Sequence, residues 1–164
     1  MTHAVFPGSF DPLTVAHLAI ADAVHDHFDA DPVELVISVM PLAKDRRRQR
    51  PISDRVDDIR RHGGTRPWLR ASATEAQLLV EIADGADLLV VGADKWHQLH
   101  DPAFYGGSAT RRDEAIAALP EVAVFPRAGV ELPAELAGIV LAIDPAIAEV
   151  SSTAVRQGRD EWRA

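Results

Sequence analysis

The chain has 164 residues, of which 47% are hydrophobic, and its formal net charge at neutral pH is −8. That length is usual for one domain, and the apolar content is enough for a layered core. An acidic surface repels the phosphates of nucleic acid and of anionic membranes, so neither is expected as a main partner. The lack of cysteine excludes disulfide scaffolds, thiolate metal sites and cysteine nucleophiles.

The N-terminal segment does not begin with the lysines or arginines of a signal peptide, and no run of about 18 apolar residues follows it. Absence of cysteine is also compatible with a reducing compartment. We therefore expect a soluble, cytoplasmic protein that forms a single domain over residues 1–164.

Apolar, β-branched runs alternate with stretches of helical period along the chain, which predicts βαβ units around a parallel sheet. The apolar runs lack strict polar alternation, as expected for strands covered on both faces. The predicted strands are His3–Phe6, Val33–Val39, Trp68–Ala71, Leu88–Val91, Val122–Phe125 and Ile139–Ile143. The predicted helices are Val15–Phe28, Ser53–Arg61, Glu75–Ala83, Ala109–Leu119 and a last one from about Thr153. The fold class is thus α/β.

The loop after the first predicted strand has the composition of a phosphate-binding loop. It reads Pro7-Gly8-Ser9-Phe10-Asp11-Pro12 and leads into a helix that begins near Thr14. Ligands of open parallel sheets bind beyond the carboxyl ends of the strands, which makes this loop the first candidate site. Gly8 allows backbone angles that expose amide donors, and the positive end of the helix faces an entering anion.

Thr14 and His17 lie three residues apart and therefore share a face of the first helical turn. A hydroxyl and an imidazole in this arrangement can both reach one triphosphate. His17 can donate to a phosphoryl oxygen whose negative charge grows during transfer. The spacing also fits a simpler interpretation, in which Thr14 only caps the helix and His17 is a partly buried helix residue.

A second cluster of hydroxyl groups precedes the last predicted helix, at Ser151, Ser152 and Thr153. Hydroxyls and free amides at a helix start suit phosphate oxygens, and Arg156 can extend a charged fork to the same ligand. The run is also a common capping sequence, so by itself it leaves a purely structural role open.

Together, the two segments resemble the signature motifs of the HxGH-type nucleotidyltransferase superfamily. The first is Gly8-Ser9-Phe10-Asp11-Pro12 followed by Thr14-x-x-His17, and the second is Val150-Ser151-Ser152-Thr153-Ala154-Val155-Arg156. The resemblance implies a Rossmann-like, three-layer α/β/α fold with a parallel sheet, of the HUP nucleotide-binding type. It also implies transfer of AMP from ATP to a small phosphate-bearing acceptor, with Mg²⁺ bound through ATP and no metal ligands from the protein.

The resemblance also assigns roles to residues. Catalysis is expected from His17, Thr14, Lys44 and Arg156. ATP and its phosphates are expected at Gly8, Ser9, Phe10, His17, Ser151, Ser152, Thr153 and Arg156. Lys44 matches a family lysine that holds phosphates, with a solvated surface lysine as the alternative. The neighbouring Arg46, Arg47, Arg48 and Arg50 suit a flap over a polyphosphate.

The acceptor is expected near the end of the fourth predicted strand. There Gly92 permits close backbone approach, and Asp94 can accept hydrogen bonds from ribose hydroxyls. Gly-x-Asp followed by tryptophan resembles the nicotinate mononucleotide branch, so Trp96 and Tyr105 are candidates for stacking on a base. A core position for Trp96 is the alternative. Arg127 matches a Pro-Arg step of the same branch near the adenine pocket.

Three functions remain open at this stage. The favoured function is a nicotinate mononucleotide adenylyltransferase of NAD biosynthesis, because of Gly92, Asp94 and Trp96. A phosphopantetheine adenylyltransferase of coenzyme A biosynthesis is favoured by Thr14 and by the short chain. Ala16 stands where the family has glycine, and its methyl group can crowd a nucleotide, which favours a binding protein with weakened catalysis. CTP as donor and a homo-oligomeric state are also left open by the resemblance.

Overall fold

The structure is a computed structural model that describes residues 1–39, 49–134, 136 and 139–164. The strands are β1 (Thr2–Pro7), β2 (Ala30–Ser38), β3 (Leu69–Thr74), β4 (Leu88–Gly92), β5 (Glu121–Phe125) and β6 (Ile139–Val140). Within the described ranges they form one parallel sheet in the order β3-β2-β1-β4-β5-β6. This is the strand order of a doubly wound Rossmann fold, so the expected fold class is confirmed.

Helices connect the strands and cover both faces of the sheet. They are α1 (Val15–Phe28), α2 (Ile52–Arg61), α3 (Leu79–Ile82), α4 (Ala93–His100), α5 (Ala109–Ala117), α6 (Pro145–Ala148) and α7 (Ser152–Arg156). Short 3-10 turns lie at His62–Gly64, Pro102–Tyr105 and Asp160–Trp162. None of the helices in the part of the chain described here has the length and apolar character needed to cross a membrane.

Two core clusters fill the space between the sheet and its helical layers. Along β1, Ala4 and Phe6 belong to the cluster that includes buried residues of α1 and α2. Val5 belongs to the other cluster, together with Trp96 and Leu99 of α4. Side chains of successive residues thus enter opposite cores, which is why the central run Ala4–Phe6 is apolar without interruption.

Most predicted elements shift by one to three residues at an end, and two are much shorter in the structure than predicted. The helix predicted over 75–83 is reduced to α3, because the backbone is still extended at Leu78 (φ −85°, ψ 142°). The strand predicted over 139–143 is only β6, a two-residue strand. In addition, α4 is a helix that the sequence pattern did not indicate.

The strand order reverses between β1 and β4, which are hydrogen-bonded neighbours. Because the strands are parallel, the carboxyl ends of β1 at Pro7 and of β4 at Gly92 lie at the same edge of the sheet. Ligands of open α/β sheets bind in the crevice at such a reversal point. The topology therefore places the loop after β1 and the start of α4 at the expected binding edge.

Candidate active site

The loop after β1 is held in shape by a buried phenylalanine. Phe10 is 1% exposed, has a left-handed backbone (φ 46°) and packs edge-on against Phe6 at 5.4 Å between ring centroids. A Cβ on Gly8 would lie 2.7 Å from the Phe10 ring, so any other residue there would have to displace that buried ring. The Phe10 side chain therefore packs in the core and supports the loop. At this position only the backbone amide can contact a phosphate.

Thr14 and His17 are joined by reciprocal hydrogen bonds at the start of α1. The His17 backbone N–H donates to Thr14 Oγ1 at 3.4 Å, and the Thr14 backbone N–H donates to His17 Nδ1 at 3.0 Å. A backbone amide can only donate, so Nδ1 is the accepting nitrogen and the neutral ring carries its hydrogen on Nε2. Thr14 is thus the helix cap of the simpler interpretation, and the same contacts set the histidine's tautomer and orientation.

The C-terminal motif segment docks directly on the loop after β1. Ser152 Oγ donates to the Pro12 carbonyl at 2.8 Å, and Arg156 Nη1 donates to the Asp11 carbonyl. Ser151 caps α7, since its hydroxyl accepts from the Ala154 backbone N–H at 3.1 Å. The structure therefore brings together the two segments that lie at opposite ends of the sequence.

Two of the predicted phosphate-binding side chains, Ser152 and Arg156, already make hydrogen bonds within the protein. The Ser152 hydroxyl hydrogen is engaged by a carbonyl, so in this conformation the group anchors α7 to the loop. Arg156 uses one further donor on Thr153 Oγ1 at 3.1 Å. A guanidinium has about five N–H donors, so the exposed Arg156 side chain keeps others for an anion.

Asp11 is a buried carboxylate, 3% exposed, in the same loop. It accepts from Arg50 Nε at 3.0 Å and from the Arg50 backbone N–H at 3.2 Å. Arg50, one of the four arginines predicted to form a flap, is therefore tied to the loop in this structure. The other three, and the predicted catalytic Lys44, lie outside the described residues.

A cavity of about 140 Å³ opens beside the loop at the carboxyl ends of the strands. Gly8 and Ser9 of the loop line it, and its aromatic side chains are Phe104 and Tyr105. The Tyr105 hydroxyl donates to the Leu99 carbonyl at 3.0 Å, and burial raises the pKa of that phenol. Tyr105 thus lies in the cavity wall.

Trp96, the other stacking candidate, does not line this cavity. It is 7% exposed within the core cluster of α4, where its ring lies 4.5 Å from that of His100. Its neighbour Lys95 lines the cavity instead. Trp96 therefore takes the core position that was the alternative interpretation, because residues adjacent in a helix point about 100° apart.

Gly92, Asp94 and Arg127 surround the end of β4 and β5. A Cβ on Gly92 would lie 2.8 Å from both the Phe125 ring and Asp94 Oδ1, so Gly92 permits close packing here. Asp94 is exposed in the first turn of α4. Arg127 Nη1 donates to the Val150 carbonyl at 3.1 Å, which ties the loop after β5 to the C-terminal motif segment.

Sequence reasoning missed Arg55, a buried residue of α2 that lines the cavity. A signal was present, because Arg55 lies in the apolar stripe of its helix beside the buried Val56 and Ile59. A charged residue on a buried stripe indicates either an ion pair or a ligand contact.

The strand order, the Thr14–His17 contact at the reversal point and the docked Ser-Ser-Thr segment define a nucleotide-binding α/β protein. The family model described as "Cytidylyltransferase-like" matches residues 5–158. The chain therefore belongs to this family of nucleotidyltransferases.

Proteins with similar sequences carry the name of the nicotinate mononucleotide branch. The "Probable nicotinate-nucleotide adenylyltransferase" of Treponema pallidum, found in two strains of that organism, is 35% identical over 75 residues. That match covers 46% of this chain and only 37% of the relative's length.

Two solved structures of Plasmodium falciparum nicotinic acid mononucleotide adenylyltransferase have the same fold. The complex with NaAD superimposes with a TM-score of 0.65 over 94% of this chain and 82% of that one. The complex with APC superimposes with a TM-score of 0.66 over 96% of this chain and 83% of that one. Sequence identity is 12% in both, so the likeness is one of fold.

Proposed function

We propose that the protein transfers AMP from ATP to nicotinate mononucleotide and releases pyrophosphate, a step of NAD biosynthesis. The observation that carries the proposal is the docking of Ser152 and Arg156 on the loop that leads into Thr14 and His17, at the strand-order reversal. The cavity lined by Phe104 and Tyr105 adjoins the same loop. Family membership and the names of the relatives support this assignment.

In the proposed reaction a phosphate oxygen of the acceptor attacks the α-phosphorus of ATP. The bond between the α-phosphorus and the leaving pyrophosphate breaks, and no protein nucleophile takes part. Such transfers depend on positioning and on neutralising charge. His17 is suited to this task because its Nδ1 accepts from Thr14, so that Nε2–H is the group that donates to a phosphoryl oxygen.

Arg156 would supply positive charge beside the triphosphate. Its guanidinium is held at the loop by the Asp11 carbonyl, while its exposed side chain keeps donors for an anion. The donor set around the loop consists of hydroxyls, an imidazole and guanidinium groups, which complements phosphate oxygens. Mg²⁺ would accordingly be held by ATP oxygens and water, and it would supply charge neutralisation there.

The acceptor's aromatic ring would enter the cavity. A dry protein cavity of about 150 Å³ accommodates benzene, and this cavity has about 140 Å³, which suits a single six-membered ring. Phe104 and Tyr105 offer faces for offset or edge-on ring contacts. The ribose and phosphate would then extend towards the loop after β1.

Pyrophosphate release tests the proposal directly. Purified protein is assayed with ATP or CTP against nicotinate mononucleotide, nicotinamide mononucleotide and pantetheine phosphate. The proposal expects the fastest turnover with ATP and nicotinate mononucleotide, and almost none in the His17→Ala variant. Turnover confined to another donor or acceptor would refute the assignment.

Transfer to pantetheine phosphate is the second candidate function. It is favoured by Thr14, which matches the first motif position of that branch. The cavity wall also includes Leu78, Leu79 and Ile82, which suit an extended aliphatic arm. Turnover with pantetheine phosphate alone would establish this candidate. Binding of ATP without any turnover would establish the binding protein suggested by Ala16.

A further inference from the structure

Arg55 is buried without a full set of partners. It is 3% exposed, and Nη1 donates to the Ser9 carbonyl at 2.9 Å. Its Nε is buried and has no hydrogen-bond partner in the described part of the chain. Buried guanidinium groups are normally paired, so an unmet donor of this kind needs an explanation.

The carboxylate of Asp11, whose charge acts on Arg55, does not meet that need. Asp11 accepts hydrogen bonds from Arg50, although its charge does favour the charged form of Arg55. Burial acts in the opposite direction and more strongly, and with Arg50 it lowers the pKa of Arg55. Retaining a charge in this position therefore works against folding stability, which is typical of a residue kept for binding.

The cavity that Arg55 lines contains a second cation. Lys95 lies on its wall, and its Nζ donates to the neutral Gln98 side chain at 2.9 Å. None of the cavity's described lining residues is an aspartate or a glutamate. The cavity is therefore a cationic recess in a chain whose formal charge is −8, and it complements an anionic ligand group.

We propose that Arg55 and Lys95 form a subsite for an anionic group of the acceptor. The proposal rests on the proposed function and adds the chemistry that selects the acceptor. Two anionic groups of a pyridine mononucleotide qualify, the ring carboxylate and the phosphate. The planar guanidinium suits either one through paired hydrogen bonds, and the ammonium adds a point charge.

A structural role for Arg55 is the rival explanation, because Nη1 also holds the Ser9 carbonyl. The two roles differ in what an Arg55→Met variant does to stability. Replacing a buried charge by an apolar side chain of similar length is often neutral or stabilising. A ligand-binding arginine thus predicts an unchanged or higher melting temperature together with weaker binding, whereas a structural arginine predicts a lower melting temperature.

The test measures binding of nicotinate mononucleotide and of nicotinamide mononucleotide without ATP, by titration calorimetry. Arg55→Met should raise the dissociation constant about ten- to a hundredfold, the range for a hydrogen bond to a charged group. Arg60→Met, at an exposed position of α2, is the matched control and should leave affinity unchanged. Lys95→Met should also weaken binding, and it carries the test if Arg55→Met does not fold.

The two ligands identify the group that is bound. Weakening restricted to nicotinate mononucleotide assigns the subsite to the carboxylate, and equal weakening of both assigns it to the phosphate. Unchanged affinity in either cation variant, or no binding to the unaltered protein, overturns the proposal. Because ATP is absent, the proposed function can fail in the turnover assay while Arg55-dependent binding still holds.

Discussion

The Thr14 backbone N–H donates to His17 Nδ1 at 3.0 Å, so the cap of α1 also fixes the ring of the histidine that follows it. The ring is further confined by Phe10, whose centroid lies 4.9 Å away. A histidine held on two sides needs little reorganisation when charge develops on a phosphoryl oxygen. Preorganised donors of this kind make large contributions to transfer reactions.

Replacing His17 with alanine should therefore reduce kcat by about 10²- to 10³-fold, the usual effect of removing one such donor. The fold should persist, because the Thr14 hydroxyl still caps the His17 position through its backbone N–H. Steady-state pyrophosphate release and circular dichroism measure the two effects. His27→Ala, at an exposed position of the same helix, is the control. Equal turnover in both variants would remove His17 from the mechanism.

Gly92→Ala should destabilise the protein by about 1–3 kcal/mol, the usual cost of overpacking a filled site. The added methyl group meets the Phe125 ring and Asp94 Oδ1, both at 2.8 Å. Gly64→Ala is the matched control, since nothing lies within 4 Å of a Cβ there. Urea unfolding of the two variants checks the difference. Equal stability would mean that Phe125 can move aside at no cost.

Much of the fold could be predicted from sequence signals that lie within one helix, strand or loop. The α1 boundaries agree with the prediction because Thr14 and the left-handed Asp29 mark its two ends. The meeting of the two motif segments follows from the parallel topology together with the family resemblance. The helix boundaries depend on local capping residues, and the position of the motif segments depends on the strand order. Tertiary packing changes neither easily.

The arrangement of the cavity wall could not be predicted in the same way. Lys95 and Trp96 are adjacent, and only the phase of α4 against the sheet decides which one faces the cavity. Likewise, Ser152 looked like a phosphate ligand, but its hydroxyl is engaged by Pro12 from the far end of the chain. These positions are set by tertiary packing, and local sequence does not encode them.

Ala16 is 2% exposed and does not line the cavity, so its methyl group is packed within the protein. We therefore expect Ala16→Gly to change turnover less than about threefold, and to lower stability by about 0.5–1 kcal/mol through lost helix propensity. Kinetics and urea unfolding check both values. A tenfold gain in kcat/KM for ATP would instead show that the alanine crowds the nucleotide.

Acid should weaken the fold partly through His62. Burial, followed by the charges of Arg66 and Arg61, lowers the pKa of His62 from its ordinary value of 6.5. The folded state then favours the neutral ring, so its stability is fully present above the unfolded pKa. That contribution is lost as the pH falls from 6.5 towards the lower folded pKa.

The free energy of unfolding should accordingly fall less between pH 7.5 and pH 5.5 in His62→Gln than in the unaltered protein. Glutamine keeps a polar side chain of similar reach and cannot take up the proton. His27→Gln removes an exposed histidine and serves as the control for a general effect of losing one imidazole. Urea unfolding at the two pH values gives the difference directly. An identical loss of stability in all three proteins would exclude His62 as a source of the acid sensitivity.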